Sequence, residues 1–222
     1  MLTYTFNWSV VWQHRVALTR ALLLSSELAA AVLPIGCLFG LIFAYAAFAQ
    51  HRTVRHLALI YVHAVRNTPP LLLVFTFYLV LPEYGFRALD AKASFIAALS
   101  IVAGGYMAEN FRAALGSIPV AYLDGARAIG LTAWKRQAYV VFPIAIRYAL
   151  PSLTNSAVAV FKDTSLASVI AVQELTYFAR EISTNYFRVF EGWVAVAGVY
   201  LAVSTAMAFL ARSFERHLPR LT

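Results

Sequence analysis

Charge is scarce in this chain of 222 residues. Asp, Glu, Lys and Arg make up 13% of it, about half the share usual in a soluble domain, while 61% is hydrophobic. So little polar surface cannot cover a water-facing globule, and much of the exterior must face lipid. There is one cysteine, Cys37, inside an apolar run, which excludes an intrachain disulfide, and no Cys/His cluster has zinc-ligand spacing. Residues 1–20 lack a basic stretch followed by an apolar core and a small-residue cleavage site, so no removable signal peptide is expected. No G-x-x-x-x-G-K-S/T sequence occurs, which excludes the phosphate cradle of an ATPase. No Ser/His/Asp set, carboxylate pair or metal constellation points to chemistry on a substrate. The expectation is a protein that is no enzyme, with no catalytic residue, metal or cofactor of its own.

What is present is apolar length. Five segments are long enough to cross a bilayer, which takes about 20 residues of helix: Leu28–Ala49, Leu57–Pro82, Ala93–Ala108 (continuing to about Leu115), Tyr148–Phe161 resuming as Thr164–Gln173, and Gly192–Ala211. The predicted fold class is therefore an all-α membrane protein of about five spans, in one domain over residues 1–222. The formal net charge of +8 does not signal nucleic acid, because Lys and Arg cluster between the apolar runs, as juxtamembrane residues do.

That clustering also orients the chain. Eleven Lys and Arg fall on one side (Arg52, Arg55, Arg66, Arg112, Arg127, Lys135, Arg136, Arg147, Arg212, Arg216, Arg220). Six fall on the other (Arg15, Arg20, Arg87, Lys92, Arg180, Arg188). The richer side is cytoplasmic by the positive-inside rule, so the N-terminus is expected outside and the C-terminus inside.

The longest cytoplasmic segment runs from about 116 to 147. Pro119 suits the first turn of a helix, Gly130 supplies the left-handed residue that ends one, and Thr132 can cap a second helix from Ala133, which Pro143 is expected to stop. The result is a short helix on a tight elbow, which a neighbour can push. The competing reading is an amphipathic helix lying flat on lipid, which Asp124 and Gly125 suit poorly.

This segment reads Asp124-Gly125-Ala126, three residues, Gly130, nine residues, then Val140-Val141-Phe142-Pro143. It resembles the E-A-A, three residues, G, nine residues, I-x-L-P signature of ABC importer permeases, specifically the polar amino-acid branch of histidine, glutamate and glutamine permeases. Arg66-Asn67-Thr68-Pro69, Gly105-Tyr106-Met107-Ala108-Glu109, Leu150-Pro151-Ser152-Leu153-Thr154-Asn155 and Lys162-Asp163-Thr164-Ser165-Leu166 also resemble blocks of that branch, in order, over about residues 20–215. The resemblance implies a MetI-like permease fold in the bacterial inner membrane. It also implies docking of about Ala121–Leu131 onto a cytoplasmic ABC ATPase dimer that holds ATP and Mg, with Asp124, Gly125, Ala126, Arg127, Gly130 and Leu131 as the coupling residues. An extracytoplasmic solute-binding protein and an amino-acid substrate follow as partners, and opines and related derivatives belong to the same branch.

Ionisable groups at membrane depth are costly and are usually paired or functional. Lys162-Asp163 interrupts the fourth span and Glu109 sits inside the third. With Thr164, Ser165, Arg66 and Thr68 they are candidates for the translocation path; the structural alternative is that Lys162, Asp163, Glu109 and Glu27 pair across helices. Gly36-x-x-x-Gly40 and Gly104-Gly105 read as close-packing sites, His63 as a hydrogen-bonded core residue, Trp8, Trp12 and Trp193 as interface anchors, and Glu181 and Glu191 as solvated charges. Five spans are too few to enclose a path, so a second permease subunit, identical or related, is expected. The alternative function is an ion-gradient-driven secondary transporter subunit, although no repeated halves are visible.

Overall fold

Long uncharged runs with helix-forming residues leave the backbone no partner in lipid but itself, and every described element is helical. The computed structural model describes residues 4–86 and 89–217; Arg87 and Arg220, counted above, lie outside them. In chain order the helices are α1 (Ser9–Gln13), α2 (Arg15–Ala46), α3 (Arg52–Asn67), α4 (Pro70–Phe75), α5 (Leu81–Glu83), α6 (Ala91–Gly116), α7 (Val120–Ala128), α8 (Ala133–Arg136), α9 (Phe142–Asp163), α10 (Leu175–Asn185) and α11 (Val189–His217). Two π-turns, Thr76–Val80 and Gln137–Val141, and a 3-10 segment, Thr164–Ile170, complete the set.

Four stretches are long and apolar enough to cross a membrane: Arg15–Ala46, Ala91–Gly116, Ala133–Ile170 and Val189–Ser213. A bent pair, Arg52–Asn67 with Pro70–Glu83, makes a fifth if counted as one. The third and fifth expected spans agree with α6 and α11 to within a few residues. The first begins thirteen residues earlier than expected, because the helix runs on past Arg15 and Arg20, which are exposed and can extend their charges along its surface.

The second expected span is not straight. It breaks at Thr68-Pro69 with a bend of 103°. Proline drives the residue before it out of the helical region, and Thr68 is extended at φ −98°, ψ 131°. In the fourth span Pro143 does not stop the helix: the π-turn Gln137–Val141 loosens the ladder just before a residue that has no N–H to give, and the helix continues as α9. After Asp163 the span does not resume as an α-helix; it tightens into the 3-10 segment and turns at Ala171 (φ +62°).

The core is the contact between α2 and α6. A Cβ built at Gly36 would lie 2.8 Å from the Ala103 Cβ, and one at Gly40 only 2.6 Å from the Met107 Cβ. From the other side, a Cβ at Gly104 would lie 2.7 Å from the Phe39 Cβ, and one at Gly105 2.9 Å from Val65 Cγ1 of α3. Small residues admit backbone to backbone, which is what binds helices in lipid, where apolar burial gives no advantage over the tails. Lys92 Nζ donates to Glu27 Oε1 at 2.7 Å across the same pair.

Candidate functional site

Two features stand out against this frame, a cavity and an elbow. The cavity, of about 570 Å³, lies between α6 and α9, with Pro70 of α4 at its edge. Its α9 wall is a helical stripe, Ser152, Asn155, Ser156, Ala159, Val160 and Asp163, and its α6 wall carries Leu99, Val102, Ala103, Tyr106 and Asn110. Asn110 Nδ2 donates to Ser156 Oγ at 2.8 Å and to the Ser152 carbonyl at 3.3 Å, joining the two walls. Asp163 is the one charged residue among the lining side chains; its carboxylate has no ion pair or hydrogen bond among the described residues, and the charge that acts on it is that of Lys162, next to it in the chain. A cation or an ammonium group entering from α9's polar stripe would meet it.

The sequence candidates divide. Asp163 faces the cavity, whereas Lys162 is exposed and does not line it. Glu109 is outside the lining and is an ion-pair partner: Arg112 Nε and Nη2 donate to it at 2.9 and 2.5 Å, and Arg66 of α3 approaches to 3.8 Å. Arg66 also sits over the Tyr106 ring at 5.7 Å, so it reaches the cavity edge through that ring. Thr68 Oγ1 donates to the Ala64 carbonyl, buried Thr164 to the Phe161 carbonyl, and half-buried Ser165 accepts on its carbonyl from Ser168; none of the three lines the cavity. The expected pairing across helices is thus seen for Glu109 and Glu27, not for Lys162 or Asp163.

The elbow folds as its residues dictate. Leu131 N–H donates to the Ala126 carbonyl at 3.0 Å and Gly130 N–H to Arg127 at 2.9 Å, a Schellman closure with Gly130 at φ +74°. Thr132 Oγ1 accepts from Lys135 N–H and caps α8. On α7, Ala126 is buried, while Asp124, Gly125 and Arg127 are exposed, with Asp124 and Arg127 paired at 2.8 Å. Leu123 and Tyr122 pack on Ile118, Val141 and Ile144, so α7 rests on the start of α9, the helix that walls the cavity.

Sequence reasoning missed several polar groups. Tyr106, Asn110, Ser152, Asn155 and Ser156 line the cavity; the i, i+3, i+4, i+11 spacing from Ser152 to Asp163 was the available signal. Glu174 is fully buried, where its side chain accepts from Thr176 N–H, Tyr177 N–H and Tyr200 O–H, each at 2.9 Å. Burial pushes its pKa up, and those bonds pull against the rise. Glu191, expected in solvent, is instead fully buried: Tyr4 O–H and, at 2.7 Å, Asn7 N–H donate to it, and Arg188 lies 3.7 Å away. It therefore fastens the N-terminal arm to the start of α11. Glu181 is exposed, as expected, but His63 is exposed on α3 rather than in the core.

Such a chain offers a solute a lined passage and a neighbour a handle, and this defines a transport subunit of a multi-component membrane system. The chain belongs to the family of binding-protein-dependent transport system inner membrane components, which residues 36–220 match. It is 32% identical over 214 residues to the glutamine transport system permease protein GlnP of Escherichia coli (strain K12), covering 96% of this chain and 98% of that one. The nopaline transport system permease protein NocM of Agrobacterium fabrum is 32% identical over 170 residues, 72% of this chain and 70% of its own. Among solved structures, an amino acid ABC transporter with histidines superposes with a TM-score of 0.90 at 27% identity, over 97% of this chain and 100% of the other. The MetNI methionine ABC transporter in inward-facing form shares the fold, with a TM-score of 0.81 at 15% identity over 94% and 99%.

This protein is therefore a multi-pass inner-membrane permease of an ABC system, which includes a separate ATPase and a solute-binding protein. Permease subunits of that kind are not catalytic. Family membership sets aside the ion-gradient alternative.

Proposed function

We propose that this chain is the permease subunit of an ABC importer for a polar amino acid or amino-acid derivative, in which α7 receives the stroke of the ATPase and α9 carries it to the cavity. One observation carries this reading: an exposed nine-residue helix, closed by Gly130, packs on the π-turn that runs straight into the helix that walls the cavity. Asp124, Gly125, Ala126, Arg127, Gly130 and Leu131 form the coupling surface, and ATP with Mg binds on a partner ATPase dimer. The glutamine and nopaline permeases and the amino acid transporter structure support the substrate class. A solute of that class carries an ammonium group, and Asp163 is the charged lining residue that would meet it.

The Lys and Arg distribution supports an elbow facing the cytoplasm, with the N-terminus outside and the C-terminus inside. A second permease subunit, a copy or a relative, completes the passage, since five spans are too few to enclose one. Residues 1–222 act as one domain.

The test uses the chain's single cysteine. In a Cys37→Ser background, a cysteine at Ala121 or Arg127 of α7 should cross-link to the co-expressed ATPase. It should also resist an impermeant thiol reagent applied outside, while Thr184→Cys on α10 is labelled. Labelling of the α7 position from outside, without a cross-link, would overturn both the coupling role and the orientation.

A further inference from the structure

At the end of the cavity remote from α7, α9 gives way to the 3-10 segment Thr164–Ile170 immediately after Asp163. This segment is packed into the bundle just beyond the cavity, although none of its residues lines it: Thr164, Ala167, Ser168 and Ile170 are buried, and it touches α2, α4, α6 and α10. Its own bonds close its end, with Val172 N–H donating to the Ala167 carbonyl at 3.2 Å and Ala171 N–H to the Ser168 carbonyl at 3.1 Å, but they tie it to no neighbouring helix. The i→i+3 ladder has poorer hydrogen-bond geometry than an α-helix, and the segment ends at Ala171 in the left-handed region, which disfavours a residue bearing a Cβ.

One bond from a neighbour reaches the segment directly, and the others brace the helices beside it. Arg180 Nη2 donates to the Ser168 carbonyl at 3.0 Å. Glu174 spends one oxygen on Tyr177 N–H and shares the other between Thr176 N–H and the Tyr200 hydroxyl of α11. A helix cap alone needs no second helix, and a solvated Ser or Asp would serve. Here the cap is fully buried and joined to α11, and the Tyr200 ring lies 5.5 Å from that of Phe161, just before the 3-10 segment. Leu175 N–H adds a bond to Ser25 Oγ of α2 at 3.3 Å.

We propose that Glu174, Tyr200 and Arg180 form a latch that keeps residues 164–170 seated as the closure of the cavity, and that solute enters only when these contacts part. The inference rests on the importer reading. It makes the three side chains positioning residues: they touch no solute, but they set whether Asp163 lies beneath a closed or an open end.

The experiment uses the assembled transporter, this chain with its ATPase, in proteoliposomes. The parent carries Cys37→Ser and Ser165→Cys, and an impermeant maleimide is applied on the α10 side. Tyr200→Phe removes one hydroxyl and keeps the ring. A single net hydrogen bond shifts an open–closed equilibrium roughly five-fold. Tyr200→Phe should therefore raise the labelling rate about five-fold, with a matching rise in ATP hydrolysis measured without solute-binding protein. Glu174→Gln should act in the same direction, and Arg180→Gln, at an exposed side chain, covers the case in which the buried variants fail to fold. Parental labelling in the variants that reach the membrane, or loss of membrane insertion in Tyr200→Phe and Glu174→Gln with parental labelling in Arg180→Gln, overturns the latch and leaves a structural role. Failure of the importer reading is seen separately, as a parent whose ATP hydrolysis does not respond to the binding protein, while the labelling arm still reports on the latch.

Discussion

Replacing Gly130 tests whether the elbow works through its shape. The residue sits at φ +74°, and a Cβ built there meets no atom within 4 Å. Any effect of substitution therefore comes from the backbone, not from crowding. A non-glycine residue in this region costs about 1–2 kcal/mol, and Asn less than most. That cost corresponds to a roughly five- to thirty-fold loss in the population of the correctly bent elbow. Gly130→Val should thus leave the amount of permease in the membrane unchanged but lower binding-protein-dependent uptake per ATP hydrolysed by about that factor. Gly130→Ala should fall between, and Gly130→Asn should stay within a few-fold of the parent. Uptake and hydrolysis are measured in the same proteoliposomes. If Val and Asn were equally harmful, or Val harmless, the left-handed hinge could not be what transmits the stroke.

Four further outcomes follow from the same structure. Gly40→Val should separate α2 from α6, because its Cβ would fall 2.6 Å from that of Met107; overpacking of this kind costs about 1–3 kcal/mol and would be read as a lower melting temperature in detergent. Asp163→Asn should abolish uptake while assembly with the ATPase stays normal; failure to assemble would make the residue structural instead. Ala171→Gly should raise thermal stability by up to about 1 kcal/mol, the left-handed cost less the extra chain entropy of glycine, and an unchanged melting temperature would count against strain at that turn. Burial holds the Glu174 pKa above its unfolded value, so its contribution to stability is present below the unfolded pKa and is lost as pH rises through the folded one. Relative to Glu174→Gln, the melting temperature of the parent should therefore fall as pH rises, and a pH-independent difference would contradict the assignment.

What could be read in the sequence was what is decided locally. Gly130 and Thr132 act within four residues of themselves, so the elbow's closure and cap were visible as letters. The two clean spans, α6 and α11, needed only length and hydropathy. The bend at Thr68-Pro69 was also a local matter, but the apolar run continued across it and masked the dihedral constraint. Pro143 misled in the opposite sense, since a π-turn can carry a helix past a proline. Burial of Glu174 and Glu191 could not be read, because their partners Tyr200 and Tyr4 lie 26 and 187 residues away in the chain. The cavity stripe on α9 was legible in principle from the spacing of Ser152, Asn155, Ser156 and Asp163, but which face of a helix meets a cavity is decided by its distant neighbours.

The glycine contacts between α2 and α6 have a consequence for motion. Helices that meet main chain to main chain have no side-chain layer to slide on, so these two must travel as a single rod. Whatever change of shape admits or releases cargo is therefore confined to the pieces hung around that rod, and the broken segments at Pro69 and Ala171 are where the chain has kept its joints.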